Sequence, residues 1–410
     1  MTKIVQLQHT SESAGGAAMR LNKAFLDHGI ESSVLSLYPD LIKKRPIASV
    51  GFKERLYSKI DLKLQEYATR NFDKKMGLFT YPFIGSNVAK LQQLKDADVI
   101  YVHWVLHGFL SFNSIQQILE LNKPVVFFLH DMWSITGGCH QAFTCEKYMS
   151  HCHNCPMFPG EKNHDLSWKG FEKKMKLYSA FQNIYFMSPS KWLLDCIKQS
   201  ALTRNKPMYL VRNALDQTIF KPANKREAKA FLNIDPDETV ISFGAVSVTD
   251  AYKGWAYLQK ALEIIFADNS SRKITVVIFG SSHNEALSKA IPFKTKFMGY
   301  LRDEYTTSLV YNASDVFVAP SLADNLPYTI FEALSCSTPV VAFDVGGIPD
   351  LVLHKQNGYL AKYRDADDLV AGIKYCLDNQ IKGFTTPEYG TQAVVEKHIE
   401  FWRGLNPANV

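Results

Sequence analysis

Residues Pro320–Gly347, PSLADNLPYTIFEALSCSTPVVAFDVGG, decide how the rest of the chain reads. The stretch holds a polar loop with Asp324, a helical segment opened by Pro327, the apolar run Pro339–Phe343 and a closing pair of glycines. Proline at the first helical position fixes where a helix begins. Glu332 then falls just over one turn inside that helix, while Asp324 stays in the preceding loop. Two carboxylates thus bracket a helix amino end, and carboxylates accept hydroxyl hydrogen bonds, which suits ribose or hexose.

Upstream of this stretch, apolar strand-like runs at Thr239–Gly244, Ile274–Gly280, Phe297–Met298 and Val316–Ala319 alternate with helical patterns at Gly254–Ala267 and Asp303–Asn312. Downstream, a short helix follows Gly347 and a longer one covers Asp365–Asp378. Strands alternating with helices predict a doubly wound parallel sheet. Lys253 and Gly254 open a helix directly after the loop SVTDAY, so an ammonium and helix amides converge where a diphosphate would fit. A solvated lysine at a helix start is the alternative for that dipeptide taken alone.

The first half repeats the layout. Strands are expected at Lys3–Leu7, 31–37, Asp98–His103, Pro124–His130, Asn183–Ser188 and Met208–Val211. Between the first strand and a helix carrying Ala17, Leu21, Ala24 and Phe25 lie Gly15 and Gly16, either a loop that lets backbone amides approach a phosphate or an ordinary strand-to-helix turn. In open α/β sheets ligands sit beyond the carboxyl ends of the strands, which puts His103, His130 and Asp131 where chemistry is expected. RNALDQTIFKP, Arg212–Pro222, breaks the alternation and reads as a linker. The expected organisation is an α/β protein of two Rossmann-like domains, residues 1–212 and 213–385, facing a cleft. A terminal helix within 386–410 is expected to pack back on the first domain.

Two segments stand apart from this pattern. Trp133–Pro159 is a long loop without apolar periodicity that holds Cys139, Cys145, Cys152 and Cys155. Loops of that length need a reason. A structural zinc held by the four thiolates, a disulfide pair and free thiols are the three readings, with His140, His151 and His153 as substitute ligands. Lys43–Lys75 mixes basic residues with Leu56, Ile60, Leu64 and Tyr67. It reads either as an amphipathic helix lying on anionic lipid or as a solvated helix with its apolar side on the core.

The chain's 410 residues exceed the usual size of a single core. With 46% hydrophobic and 12% aromatic residues it fits a globular enzyme, not a disordered chain. The formal charge of +6, from 46 bases against 40 acids, favours an anionic substrate or acidic membrane surface and does not indicate nucleic acid. No apolar run approaches the roughly 20 residues needed to span a bilayer, and the amino terminus enters KIVQL with no signal-peptide core. A cytoplasmic place, at the inner face of the membrane in one version, is the expectation.

The run DNLPYTIFEALSCSTPVVAFDVGGIPDLV, with FGAVSVTDAYKG before it and NGYLA after it, resembles the donor domain of family 4 retaining glycosyltransferases, which have the GT-B fold. The segment HDMWSITGGCHQAFTC with CHNCP resembles their bacterial branch that builds exopolysaccharide, colanic-acid-like capsule or O-antigen. The resemblance implies a nucleotide-sugar donor, a glycan or lipid-linked glycan acceptor and no catalytic cofactor. It implies that Glu332 holds the ribose hydroxyls, Lys253 the diphosphate, and Asp324 with Asn325 and Leu326 the donor sugar, Thr329 lying in the same binding segment. His130 matches a histidine near the reacting sugar, and Gly15 and Gly16 match the loop facing the phosphates. The family's first carboxylate is usually glutamate, here the shorter Asp324, and its arginine before the lysine is absent, with Ser247 and Tyr252 at that place and Arg212 a candidate replacement. A nucleotide-sugar 2-epimerase of the same architecture and a non-catalytic sugar-nucleotide-binding protein are the competing readings.

Overall fold

The computed structural model describes residues 2–11, 16–39, 47–73, 77–158, 160, 163–244, 251–268, 272–280 and 285–405. Gly15, Ser247, the Lys43–Arg45 cluster, Lys74 and Lys75 lie outside these residues. The chain divides into two compact units, Met1–Ala214 with Thr391–Val410, and Leu215–Gly390.

The first unit is built on strands β1 (Lys3–Thr10), β2 (Glu31–Tyr38), β3 (Ile47–Ser49), β4 (Val99–Val102), β5 (Val125–Phe128), β6 (Ile184–Ser188) and β7 (Met208–Leu210). They form one sheet in the order β3-β2-β1-β4-β5-β6-β7, and every pair is parallel. The residues of β4 and β5, VIYV and VVFF, are all buried, as strands covered by helices on both faces must be. Helices α1 (Gly16–Asp27), α2 (Phe52–Ala68), α3 (Gln92–Asp96), α4 (Phe112–Leu119), α5 (Leu166–Ala180) and α6 (Lys191–Gln199) follow the strands. Serine or aspartate caps start three of them: Ser111, Asp165 and Ser190 each accept an N–H from the first turn.

The second unit carries β8 (Thr239–Gly244), β9 (Ile274–Phe279), β10 (Lys294–Gly299), β11 (Val316–Ala319), β12 (Val340–Phe343) and β13 (Gly358–Ala361). Its sheet is also parallel, in the order β10-β9-β8-β11-β12-β13. Its helices are α7 (Lys225–Phe231), α8 (Trp255–Ala267), α9 (Glu285–Ala290), α10 (Glu304–Ala313), α11 (Tyr328–Ser335) and α12 (Ala366–Asp378). A last helix, α13 (Thr391–Leu405), belongs to the first unit, where Val394, Val395, Phe401 and Trp402 share a core with Leu21, Phe25 and Tyr101. Trp402 Nε1 donates to the Tyr101 hydroxyl at 3.0 Å, and that hydroxyl meets His398 Nδ1 at 2.8 Å.

Both sheets reverse their direction of winding once, between β1 and β4 and between β8 and β11. At such a switch point the two flanking connections leave in opposite directions and open a crevice at the carboxyl ends of the strands.

One sequence expectation is corrected here. The apolar side of α2 is not on the core: its buried residues are Ser58, Asp61 and Gln65.

Candidate functional site

In the second unit, three connections meet at the carboxyl ends of β8, β11 and β12. The first ends in a 3-10 turn, Ala251–Lys253, and Gly254 at φ +72° starts α8. A Cβ on Gly254 would lie 1.8 Å from the Pro320 carbonyl oxygen, so only glycine lets this turn pack against the loop after β11. Leu322 N donates to Tyr252 O at 2.7 Å and ties the two loops together.

That packing brings Lys253 to Asp324. Lys253 Nζ lies 3.0 Å from Asp324 Oδ2, both side chains being about a quarter exposed or less. The third connection fixes the Asp324 backbone. Gly347 N donates to Asp324 O at 3.2 Å, and a Cβ on Gly346, φ +60°, would stand 2.0 Å from that same oxygen. Glycine at 346 thus has a steric cause.

Pro327 stands one place earlier than the sequence reading put it, as the N-cap of α11 and not its first helical residue. Asn325 and Leu326 just before it are buried, and Thr329 sits in the first helical turn. Glu332 is buried inside the helix, and its Oε2 accepts a hydrogen bond from Tyr311 on α10 at 2.9 Å. Tyr311 is fully buried. The phenol orients a carboxylate that burial would otherwise penalise.

In the first unit, a pocket lies at the carboxyl ends of β4 and β5, lined by His103, Trp104, His130, Asp131 and Trp133 among others. His103 and His130 are stacked, with His103 Nδ1 2.9 Å from His130 Nε2 and His103 Nε2 3.0 Å from Gln6 Oε1. The proton positions follow from the far end of the chain. Ser32 donates to Asn22 Oδ1 at 2.8 Å, so the Ser32 oxygen accepts from Gln6 Nε2 at 3.2 Å. Gln6 must therefore turn its carbonyl oxygen to His103, which donates from Nε2 and accepts at Nδ1. His130 then donates from Nε2, and in the neutral ring Nδ1 carries the lone pair. Burial keeps both rings neutral, pushing His130 down to about 4 and His103 well below the usual histidine range.

Asp131 serves a different task. Its Oδ1 accepts from Trp133 N at 2.8 Å and its Oδ2 meets His140 Nδ1 at 2.7 Å, while His140 Nε2 lies 2.9 Å from Thr80 Oγ1. Burial alone would raise this carboxyl, but His140 and the Trp133 amide hold it below its ordinary value. It pins the start of the cysteine loop.

That loop has a core of its own, which the zinc reading did not anticipate. Among the described residues no three His, Cys, Asp or Glu side chains form a group able to hold a metal ion, and all four cysteines are free thiols. The ammonium of Lys174 reaches into the loop from α5, donating to the carbonyls of Trp133 and of Thr136 (the latter at 2.9 Å), with Nζ 3.7 Å from the Trp133 ring centre. Gly137 N donates to Cys152 Sγ, Asp165 accepts from Cys155 N, and His151 pairs with Glu172 at 2.8 Å. Burial pushes Cys139 up to about 11 and Cys155 up to about 12.

Two further expected residues take plain positions. Gly16 is the first residue of α1. Arg212 is buried just after β7, its Nη1 donating to Pro189 O at 2.9 Å. Tyr311, Gln6, Asn22, Ser32 and Lys174 were missed. For Gln6 a signal existed, a glutamine between the apolar residues Val5 and Leu7 of a strand.

Residues 237–379, all in the second unit, match the family model described as glycosyl transferases group 1. A putative colanic acid biosynthesis glycosyl transferase, WcaC of Escherichia coli K12, is 25% identical over 336 residues, covering 75% of this chain and 76% of that protein. An uncharacterized glycosyltransferase of Haemophilus influenzae is 26% identical over 180 residues, 41% of this chain and 49% of that protein. The chain thus spans about half the length of that relative. Among solved structures, Anabaena HepE in complex with UDP superposes with a TM-score of 0.65 at 16% identity, covering 98% of this chain and 100% of that one. At that identity the likeness shows the fold, GT-B, with two Rossmann-like units.

Proposed function

We propose that this chain is a retaining glycosyltransferase that moves a sugar from a nucleotide-sugar donor to a glycan or lipid-linked glycan in surface polysaccharide assembly. The observation that carries the reading is the Lys253–Asp324 pair, held by glycine-dependent packing at the carboxyl ends of β8 and β11. It lies within the segment that matches the glycosyltransferase family model.

The chemistry needs a stabilised nucleoside diphosphate leaving group and a stabilised oxocarbenium-like sugar. Lys253 supplies positive charge to the diphosphate, aided by the amides at the start of α11. Glu332, oriented by Tyr311, takes the ribose hydroxyls. Asp324 contacts the sugar with Asn325 and Leu326, and Thr329 lines the same turn. In the first unit His130 is the candidate catalytic histidine, with His103 at 2.9 Å and Gln6 behind His103 at 3.0 Å to position it. A phosphate oxygen of the donor accepts the proton of the attacking hydroxyl on the same face.

A relative named for colanic acid biosynthesis and a neighbour bound to UDP support the donor and acceptor classes. The test is a thermal-shift screen against UDP, GDP, TDP and ADP sugars, followed by measurement of nucleoside diphosphate release. Release that depends on an acceptor is expected. Sugar interconversion without an acceptor would instead indicate an epimerase, and donor binding without turnover a binding protein.

A further inference from the structure

The Lys253 ammonium has an aromatic neighbour as well as a carboxylate. Asp324 Oδ2 lies 3.0 Å from its Nζ, and the ring centre of Tyr252 lies 5.1 Å from the same nitrogen. Adjacent residues in a helical turn normally point apart, so this contact is not a by-product of their being neighbours in sequence. The long lysine side chain folds back over the ring of the residue before it. Tyr252 is half-buried, in the middle of the 3-10 turn Ala251–Lys253.

The ring is kept in place through its backbone. Tyr252 O accepts from Leu322 N at 2.7 Å, and Leu322 O accepts from the Tyr363 hydroxyl at 3.1 Å. Tyr363 follows β13 and packs edge-on against Phe343 of β12, with ring centres 6.1 Å apart. The connections after β8, β11 and β13 therefore join to fix the turn that carries the ring. Charge gives the contact its meaning. Asp324 and a diphosphate are both anions and compete for the one ammonium. An aromatic face attracts a cation through its quadrupole and carries no net charge, so it holds the lysine without repelling phosphates. The arginine expected before this lysine is absent, and Tyr252 is the side chain that the fold sets against the ammonium.

We propose, resting on the donor-binding reading above, that Tyr252 is a positioning residue for the diphosphate: its ring keeps the Lys253 ammonium aimed while Asp324 gives it up to the incoming phosphates. The residue acts through the lysine and not by touching the donor. Holding one flexible lysine in its working direction before the ligand arrives removes part of the ordering cost of binding.

The test is a double-mutant cycle on the full chain, read by calorimetric titration. The probes are the nucleoside diphosphate that thermal shift selects from UDP, GDP, TDP and ADP, and the matching bare nucleoside. Tyr252→Leu should lower affinity for the diphosphate by about threefold or more and leave affinity for the nucleoside unchanged. Tyr252→Phe keeps the ring and should keep the affinity. In a chain already carrying Lys253→Met, Tyr252→Leu should cost nothing further, because a ring that acts through the ammonium then has nothing to hold. Additive losses in the cycle, a matching loss of nucleoside affinity, or full diphosphate affinity in Tyr252→Leu would each overturn the proposal. So would equal losses in Tyr252→Phe and Tyr252→Leu, which would give the role to the hydroxyl. If the unmodified chain binds none of these diphosphates, the donor-binding reading falls and the role of Tyr252 falls with it. If it binds one and the cycle is additive, only the role of Tyr252 falls.

Discussion

The phenol of Tyr311 donates to Glu332 Oε2 at 2.9 Å and joins α10 to α11 inside the second unit. Tyr311 is fully buried and Glu332 nearly so, which makes the bond a fixed support of the carboxylate. Tyr311→Phe should lower the unfolding free energy by about 1–3 kcal/mol. It should weaken nucleotide-sugar binding, though less than Glu332→Ala, which should abolish the ligand-induced thermal shift. Calorimetric titration of both variants checks this, and full affinity in Tyr311→Phe would reduce the phenol to a packing group.

The ion pair of Lys253 and Asp324 is partly exposed, so its own contribution to stability is small, about 1 kcal/mol or less. Its value is in what the ammonium does when a diphosphate arrives. Lys253→Met should lower affinity for a nucleoside diphosphate by about tenfold or more and leave affinity for the bare nucleoside unchanged. Asp324→Asn frees the ammonium from its partner and should retain nucleoside diphosphate binding while turnover falls. Equal losses of nucleoside and nucleoside diphosphate in Lys253→Met would remove the phosphate role.

Several of these features were legible in the sequence and others were not, for physical reasons. Strands β4 and β5 were plain because both faces are buried, so their apolar runs are unbroken. Strand β10, KTKFMG, was seen only near its end because an edge strand that alternates lysine with other residues lacks such a run. β13, four residues long, and the short helices α7 and α9 were not read at all. Asp324 and Glu332 were visible as carboxylates around a helix start. The contact of Asp324 with Lys253, 71 residues away, depends on β8 and β11 being sheet neighbours, which no local pattern encodes. Helix α2 was misread because periodicity gives the stripe but not which side faces inward. Lys174 was invisible among Lys169, Lys173 and Lys176, which share its helix but not its burial.

The chain from Gln6 through His103 to His130 predicts an effect separable from binding. Gln6→Leu removes the acceptor that fixes the His103 proton on Nε2, so His130 loses its single tautomer. Turnover should fall by about tenfold or more while donor KM changes little. Gln6→Glu offers a carboxylate at the same place and should restore part of the rate. It should also raise the pKa of the histidine pair, moving the acid limb of the pH–rate profile upward. Unchanged turnover and an unchanged profile in both variants would leave Gln6 a structural residue only.

Acid should unfold the first unit through its buried rings. His130 and His398 are held neutral by burial, at about 4 and about 3 against an ordinary 6.5. A folded pKa below the unfolded one means the unfolded chain binds the extra proton. The stability these neutral rings contribute is complete above pH 6.5 and is lost as pH falls through the folded values. For His130 alone the linkage is on the order of 3 kcal/mol. Melting temperatures measured from pH 7 to pH 4 should fall steeply, and His398→Phe should flatten the curve while costing stability at pH 7, where Tyr101 loses its partner.

Lys174 tests what organises the cysteine loop. Burial brings its ammonium down to about 7, opposed in part by Cys139, Cys152 and Asp131. Between pH 7 and about 10.5 the unfolded chain therefore binds more protons at this residue, and its share of stability rises with pH. Buried thiols act in the opposite sense above about pH 8.5, where unfolded cysteines ionise. Lys174→Met should cost about 2 kcal/mol or more by removing the ammonium that donates to the Trp133 and Thr136 carbonyls, and should remove the rise between pH 7 and 8. A zinc chelator should leave the melting temperature of the unmodified protein unchanged. A drop with chelator, together with about one equivalent of zinc in purified protein, would return the loop to the metal reading.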